Sequence, residues 1–352
     1  MAIPPAPACA ASSPPRPAPA APAHWFTRLR ARPWWTWSIR LLGIAFLLLV
    51  AFLLIRQART VDWPAVFRSM KALPLPVLAA GAAFAAASHL LYSTFDLIGR
   101  HFSGHTLSVP RTMGITLISY PFTLNLGSLV GGVAVRYRLY SRNGLDTGQI
   151  GQVIGTSIVT NWVGYFLLAG AVFWLFTPDL PEGWSIAPGQ LHAIGVGLGA
   201  ITVAYWLVCA WRRGRPLAVR SHTFTLPGPA FSLVQIAMSA ANWMLMSGAV
   251  WVLLQQQVAY PAVLGTMLFG AVAGLISRVP AGLGVLEAVA VAVLADYAPK
   301  DQVLAAVLAY RALYYFAPLV LAALAFGIVE LLRRGDEDDS GIAVTGTNAP
   351  RA

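Results

Sequence analysis

The stretch from Ser277 to Asp296 constrains the fold of this chain most, because it is apolar and yet interrupted. Five residues that a lipid-facing helix avoids lie within ten positions: Arg278, Pro280, Gly282, Gly284 and Glu287. An ionised side chain at the centre of a bilayer costs about 2.5 to 3.5 kcal/mol, and a broken backbone there must be buried in protein or line a wet cavity. We therefore expect this stretch to build a polar site inside a membrane domain.

The composition of the chain is that of a polytopic membrane protein. Of its 352 residues, 57% are hydrophobic and only 11% are charged, whereas about 25% are charged in a soluble domain. The net charge of +11 indicates topology and contact with anionic lipid, since no soluble basic region suited to nucleic acid is present. Cys9 and Cys209 fit neither a disulfide framework nor a zinc site. We predict no metal and no cofactor.

Three regions divide the chain. Residues 1–35 are predicted to be a disordered Pro/Ala-rich cytoplasmic tail, residues 36–334 a transmembrane domain, and residues 335–352 a disordered acidic tail. The predicted fold class is all-α, a bundle of about eight spans. The spans are Ile39–Ile55, Leu75–Ile98, Ile150–Phe176, Leu191–Trp211, Pro229–Leu254, Pro261–Ile276, Gly284–Tyr297 and Gln302–Leu332. Arg56–Leu73 has the spacing of an amphipathic helix on the membrane surface.

A second interrupted stretch runs from Met113 to Arg138 and contains Pro121, Asn125 and several glycines. Arginine lies at both of its ends, and a re-entrant hairpin would keep both ends on the cytoplasmic side, as the positive-inside rule requires. We therefore predict a hairpin here rather than a full crossing. With it, the arginine distribution places both termini of the chain in the cytoplasm.

The two interrupted stretches occupy corresponding positions in the two halves of the chain. A pair of such segments is the best sequence indicator of a binding site near the bilayer midplane in transporters built from repeats. Close helix packing is the alternative explanation of glycine, and we favour it for three G-x-x-x-G pairs. They are Gly151/Gly155, Gly195/Gly199 and Gly270/Gly274.

Three motifs resemble a known family. They are G-G-V-A-V-R-Y at Gly131–Tyr137, R-V-P-A-G-L-G-V-L-E at Arg278–Glu287, and Y-R-A-L-Y-Y-F-A-P at Tyr310–Pro318. The chain resembles the transmembrane, flippase-like region of lysylphosphatidylglycerol synthases and its stand-alone relatives in bacterial inner membranes. The resemblance implies movement of a lipid between leaflets. Only the 18 residues after Arg334 follow that region here, so the resemblance does not imply aminoacyl transferase activity.

Candidate ligand residues follow from the same stretches. Gly282 and Gly284 would open a helix whose free N–H groups and positive dipole end stabilise an anion. Arg278 and Arg311 could hold a lipid phosphate by charge-assisted hydrogen bonds. Asn125, in the first interrupted stretch, is a further candidate for substrate binding.

The role of Glu287 is open from the sequence. It could neutralise an arginine, with Arg136 as the first candidate, or meet an ammonium group on the lipid. Alternatively, Glu287 and Arg311 form a structural ion pair that fixes helix register. Arg278 could mark only the cytoplasmic end of its span, and Asp96 is interpreted as a helix-end residue that faces water.

The leading functional hypothesis is a translocator of a phospholipid or polyprenyl-phosphate lipid. No G-x-x-x-x-G-K-[ST] loop is present, so ATP-driven pumping by this chain alone is not expected. An enzyme would need a metal or acid/base set, but no H-E-x-x-H or paired-aspartate motif occurs. The remaining alternative is a non-transporting subunit that docks a lipid-modifying enzyme.

Overall fold

The computed structural model of the chain describes most of the predicted transmembrane domain. The described residues are 63–127, 132–175, 188–212, 216–219, 222–225, 227–277 and 279–329. The predictions for the first span at Ile39–Ile55 and for both tails lie outside them.

The described part of the chain is helical apart from one short β-hairpin. The helices are α1 (Trp63–Lys71), α2 (Leu75–Ser93), α3 (Phe95–Ser103), α4 (Val109–Leu126), α5 (Ala134–Ser141), α6 (Thr147–Leu175), α7 (Pro188–Arg212), α8 (Pro229–Leu253), α9 (Tyr260–Ser277), α10 (Val285–Leu294) and α11 (Lys300–Arg311). A 3-10 turn at Pro280–Gly282 precedes α10, and a π turn at Ala312–Phe316 follows α11. Strands β1 (Pro216–Val219) and β2 (His222–Thr225) pair antiparallel and were not predicted, whereas the helices confirm the all-α class for the rest of the described regular structure.

Within the described residues, six helical segments are long and apolar enough to cross a membrane. They are Leu75–Ser103, Thr147–Leu175, Gly189–Arg212, Pro229–Leu253, Tyr260–Ser277 and Lys300–Val329. Each overlaps a predicted span. The helix predicted at Gly284–Tyr297 is only the ten residues of α10, about half the 20 or so residues needed for a crossing.

The first interrupted stretch forms a helical hairpin of α4 and α5. Arg136 donates from Nε to Ser119 Oγ at 3.3 Å, although 17 residues separate them in sequence. Nearer the turn, a Cβ on Gly132 would lie only 2.1 Å from Thr123 Oγ1. The contact between Gly132 and Thr123 joins residues that are closer in sequence than Arg136 and Ser119. Contacts of this kind arise when a chain reverses its direction, as the hairpin prediction requires. We call α4 and α5 the first hairpin.

The second interrupted stretch forms another helical hairpin, made of α9, the 3-10 turn and α10. A Cβ on Gly270 would lie 2.5 Å from Leu286 Cδ1, and one on Gly274 would lie 3.7 Å from the Cα of Gly282. Gly270 therefore lets the two arms approach, which supports the packing interpretation there, whereas a Cβ on Gly274 would make only an ordinary contact. We call this unit the second hairpin.

Helix α8 lies at the centre of the described bundle and packs against α2, α6, α7, α9 and α11. The approach to α6 is close, since a Cβ on Gly164 would lie 2.3 Å from the backbone nitrogen of Ala240. The α6–α7 contact also depends on glycine, with Gly170 packed against Gly195 and Gly199. At Gly151 and Gly155 an added Cβ would meet nothing within 4 Å among the described residues, so the packing role predicted for that pair is not seen in this part of the chain.

The two hairpins meet each other. Helix α4 of the first hairpin contacts both the 3-10 turn of the second hairpin and the π turn that follows α11. The predicted amphipathic segment is present as α1, which packs against α11 through a hydrogen bond from Ser69 Oγ to Asp301 Oδ2 at 2.8 Å. The bundle thus brings both sequence interruptions to one place, beside the middle of the last helix.

Candidate functional site

The turn of the second hairpin has a backbone that few residues adopt. Ala281, Gly282 and Gly284 all have positive φ, at 56°, 57° and 77°. Glycine adopts this region freely, whereas a residue with a Cβ does so at a cost of about 1–2 kcal/mol. The peptide groups of the turn leave the regular helical pattern, so their carbonyl oxygens can accept hydrogen bonds from elsewhere.

Arg311 supplies those hydrogen bonds. Its side chain is buried, with 2% of the residue exposed. Nη1 donates to the carbonyl oxygen of Ala281 at 2.9 Å, and Nη2 donates to that of Gly282 at 2.7 Å. The guanidinium also lies over the ring of Tyr315, with Cζ 5.1 Å from the centroid. Hydrogen bonds from a charged donor contribute about 1.5 to 3 kcal/mol each, so Arg311 holds the turn in its unusual conformation.

The same guanidinium forms a two-pronged ion pair with Glu287. Nε donates to Oε1, and Nη2 donates to Oε2 at 3.1 Å. The alternative in which Glu287 and Arg311 pair is therefore confirmed, and the first candidate, a pair between Glu287 and Arg136, is wrong. Both carboxylate oxygens are engaged. These bonds use four of the five N–H groups of the guanidinium, and within the described residues the fifth, on Nη1, has no acceptor.

A cavity of about 300 Å³ lies beside Arg311, between the two hairpins and helices α2, α6, α8 and α11. Gly270, Gly274 and Gly282 line one wall, where a larger side chain would fill the space. Leu275 also lines the cavity and is 61% exposed, so the cavity reaches the surface of the bundle there. Among the described lining residues, Arg311 carries the only formal charge.

Aromatic side chains make up much of the rest of the wall: Tyr92, Tyr120, Trp162, Trp243 and Tyr315. Sequence reasoning did not identify this ring of aromatic residues. Each residue sits on a different part of the chain and looks like ordinary helix packing in its own segment. Only the assembly of α2, α4, α6, α8 and the π turn after α11 brings them around one space.

The first hairpin holds a different buried ion pair. Arg136 Nη1 lies 3.4 Å from Asp96 Oδ1, and Asp96 is fully buried. Thr116 and Tyr140 donate hydroxyl hydrogen bonds to Asp96 Oδ2 at 2.7 and 2.8 Å. The interpretation of Asp96 as a water-facing residue is therefore wrong. Asp96 lies in the first turn of α3, two residues after Thr94, where α2 ends and α3 begins.

Asn125 does not line the cavity. It links α4 of the first hairpin to the π turn that follows α11. Its Nδ2 donates to the carbonyl oxygens of Pro121, at 2.8 Å, and Tyr315, at 3.1 Å. The second acceptor lies in the π turn beside Arg311, where regular helical pairing is disturbed. The structure thus assembles Gly282, Gly284, Glu287 and Arg311 at one place. Asn125 lies next to it, Arg136 lies apart, and Arg278 is outside the described residues.

A polar network behind the cavity was also missed by sequence reasoning. Ser88 Oγ donates to Asn242 Oδ1 at 2.7 Å and lies 2.7 Å from the hydroxyl of Tyr314. The Tyr314 hydroxyl lies 3.1 Å from that of Tyr120, which lines the cavity. The network joins α2, α4, α8 and the π turn. Ser88 and Asn242 in apolar helices were the available signal, since buried polar side chains need partners.

Several known proteins are similar to this chain in sequence. The chain matches the family described as the lysylphosphatidylglycerol synthase TM region over residues 40–322. It is 38% identical to inner membrane protein YbhN of Escherichia coli over 302 residues, which are 86% of this chain and 95% of that protein. It is 32% identical to protein slr0712 of Synechocystis over 278 residues, 78% of this chain and 86% of that protein.

A shorter match connects the chain to an enzyme. A phosphatidylglycerol lysyltransferase of Staphylococcus haemolyticus is 35% identical over 72 residues, which are 20% of this chain and only 9% of that protein. The full-length match to YbhN and the family match over most of the chain carry the assignment. This chain is a multi-pass membrane protein that belongs to the lysylphosphatidylglycerol synthase transmembrane-region family.

Proposed function

We propose that this chain moves a phospholipid or polyprenyl-phosphate lipid between the leaflets of a bacterial inner membrane, with the headgroup passing through the cavity beside Arg311. The observation that carries the proposal is that Arg311, whose guanidinium has one N–H without an acceptor among the described residues, lines a cavity where two helical hairpins meet. YbhN, which is similar over most of its length, is an inner membrane protein.

The chemistry of the cavity suits a phosphate headgroup. A bare ion transferred into hydrocarbon costs tens of kcal/mol by Born estimates, which makes unassisted crossing slow. The fifth N–H of Arg311 replaces part of the hydration that the phosphate loses. Leu275, exposed at the cavity mouth, lets the acyl or prenyl chains stay in the bilayer while the headgroup enters.

The two hairpins support the same proposal. In a membrane we propose that both are re-entrant, so that their turns meet near the midplane while their ends return to the side from which they came. A pair of broken helices, one in each half, is how many secondary transporters build a binding site at that depth. With the first span at Ile39–Ile55, this arrangement leaves both termini in the cytoplasm.

Lipid movement can be tested in proteoliposomes that contain a tail-labelled phosphatidylglycerol. We expect wild-type protein to accelerate the loss of protected label well above empty vesicles, and Arg311→Ala to abolish most of that acceleration. Arg111→Ala is the matched control, since Arg111 is an exposed arginine at the start of α4. It should leave the rate near wild type. Wild-type flux no faster than that of empty vesicles would end the proposal.

The alternative role as a docking subunit makes a different prediction. A lipid-modifying enzyme would co-purify with the chain, and its activity would survive Glu287→Gln. Helix α1, one of the segments proposed for docking, already packs on α11. No observation in the described residues favours this role over translocation.

A further inference from the structure

The wall of the cavity contains one amide side chain among the described residues, that of Asn161 on α6. The residue is half-buried. Within the described part of the chain its amide has no hydrogen-bond partner, although its backbone carbonyl oxygen has two side-chain donors. Polar groups inside native proteins are normally paired, so an unpaired amide in an apolar helix needs a partner from outside the protein.

The backbone at Asn161 is held in place by the central helix. Its carbonyl oxygen accepts from Ser239 Oγ at 2.7 Å and from Trp243 Nε1 at 3.1 Å, both on α8. The two helices approach closely here, because Gly164 has no side chain that would meet the backbone of Ala240. These contacts fix the point from which the side chain starts and leave its amide free. Such support of a free group by its neighbours is expected where a residue orients a ligand.

Two hydroxyl groups of the wall are already engaged within the protein. Thr123 Oγ1 donates to the carbonyl oxygen of Ser119 at 3.1 Å, and the hydroxyl of Tyr120 lies 3.1 Å from that of Tyr314. The amide of Asn161 is not used in this way. Ligand pockets are mostly apolar, and a small number of placed polar groups decides how the ligand is oriented.

We propose that Asn161 recognises the polar group that a lipid carries beyond its phosphate, while Arg311 binds the phosphate itself. The inference rests on the proposed function, since it assigns a second contact within the same cavity. An amide has two N–H donors and a carbonyl acceptor, so it can accept from a hydroxyl or an ammonium group and donate to an oxygen. The favoured lipids are phosphodiesters with a hydrogen-bonding headgroup rather than phosphomonoesters, which end at the phosphate.

The two contacts come from different helices. Arg311 is the last residue of α11, Asn161 lies near the middle of α6, and both helices pack against α8. A headgroup that contacts both residues is positioned at two points, whereas a bare phosphate needs only Arg311. The cavity volume of about 300 Å³ is at the low end of the roughly 300–1,000 Å³ of ligand pockets, which suits a headgroup without its acyl chains.

The test compares two lipids that differ only beyond the phosphate, phosphatidylglycerol and phosphatidylmethanol with the same acyl chains. Both are singly charged phosphodiesters, but the methyl group of phosphatidylmethanol forms no hydrogen bond. Native mass spectrometry of the purified full-length protein gives the ratio retained from an equal mixture. We expect phosphatidylglycerol to be favoured about fivefold, the scale of one neutral hydrogen bond. Equal retention by the wild-type protein would overturn the inference.

Two variants test the residue itself. Asn161→Leu replaces the amide by an apolar group of similar shape, and Asn161→Ala removes it without adding volume. In both, we expect the preference to fall to near one, with retention of phosphatidylmethanol near wild type. The matched control is Gln257→Leu, which removes an amide from an exposed residue outside this cavity and should leave the ratio unchanged. A preference that survives in the Asn161 variants, or falls equally in the control, would overturn the inference.

Measurements of flux separate this inference from the proposed function. Equal retention of the two lipids with flux intact overturns the role of Asn161 and leaves translocation standing. Selective retention without flux of either lipid overturns translocation and leaves recognition by Asn161 standing. Millimolar glycerol 3-phosphate distinguishes a soluble ligand from a lipid, because displacement of bound phosphatidylglycerol would assign the cavity to the soluble phosphate and overturn the lipid assignment.

Discussion

Each hairpin carries a charged residue at a corresponding position in its sequence, but the ion-pair partners of these two residues have different surroundings. Arg136 lies five positions after Gly131, and Glu287 lies five positions after Gly282. In the first hairpin the partner, Asp96, is fully buried and also accepts two hydroxyl hydrogen bonds. In the second hairpin the partner, Arg311, also binds two carbonyls of the turn and faces a cavity.

The difference shows what makes a buried ion pair available for function. The carboxylate of Asp96 is enclosed by donors from α4 and α5, so this ion pair stabilises the packing of α3 against both helices. Arg311 lines a cavity and has one N–H without an acceptor among the described residues, and the side chain of Glu287 retains 13% exposure. We therefore expect mutations in the first pair to act mainly on stability and mutations in the second mainly on transport.

The largest effect on stability is expected for Asp96→Asn. This change leaves the guanidinium of Arg136 buried without a counter-charge, and breaking a buried pair costs about 3 to 5 kcal/mol. Thermal unfolding in detergent should show a large loss of stability. The double variant Asp96→Asn with Arg136→Gln should recover much of it, and a double variant no better than the single one would contradict the assignment.

Glu287→Gln tests the second pair. Because Gln keeps the shape and Arg311 keeps both carbonyl hydrogen bonds, we expect a stability loss smaller than the loss of about 3 to 5 kcal/mol for Asp96→Asn. Lipid flux should change about tenfold or more. If Glu287→Gln unfolded the protein as strongly as Asp96→Asn, or left flux at the wild-type level, the proposed contrast between the hairpins would be wrong.

Glycine-to-alanine substitutions compare how tightly the two hairpins are packed. In Gly132→Ala the new Cβ would lie 2.1 Å from Thr123 Oγ1, so the first hairpin must shift, at a cost of about 1 to 3 kcal/mol. In Gly274→Ala the nearest described atom is 3.7 Å away, an ordinary contact. Unfolding temperatures of the two variants check this, and equal losses would show that the two turns are equally tight.

Ala281→Gly should stabilise the second hairpin slightly. Ala281 has a φ of 56°, which glycine adopts without the steric cost of a Cβ. We expect the free energy of unfolding to rise by up to about 1 kcal/mol. The greater conformational entropy of glycine in the unfolded chain reduces this gain. A clear loss of thermal stability would indicate that the methyl group of Ala281 contributes packing that outweighs its strain.

The smallest effect concerns His105, in the loop that follows α3. Burial lowers the pKa of His105, the charge of Arg100 lowers it further, and Asp96 opposes both. Since the pKa is lower in the folded state, the unfolded state binds the proton first as pH falls below about 6.5. The free energy of unfolding should therefore decrease on acidification, and this part of the decrease should vanish in His105→Gln.

Much of the architecture was predictable from residue pattern. The spans follow from long apolar runs, because only a helix of about 20 residues satisfies its backbone across a bilayer. The two interruptions were visible as glycine, proline and charge inside such runs. The short β-hairpin after α7 was missed, since its segment, Pro216–Thr225, lies among arginines and reads as a loop.

The partners of the charges were not predictable in the same way. Sequence spacing relates residues on one helix, whereas Arg136 and Asp96 belong to different helices 40 positions apart. Only the packing of α3 against α4 and α5 shows that Asp96 points inward rather than to water. The π turn after Arg311, which exposes a carbonyl to Asn125, leaves no recognisable signal in the residues that form it.

By itself, the sequence determined that this chain lies in a membrane and folds two broken helical segments around buried charge, because hydrocarbon tolerates neither free backbone groups nor unpaired ions. The tertiary structure alone decided which carboxylate meets which arginine. It also placed one of the two pairs, Glu287 and Arg311, beside the cavity described here, because helix packing sets the distances between side chains that the order of residues leaves open.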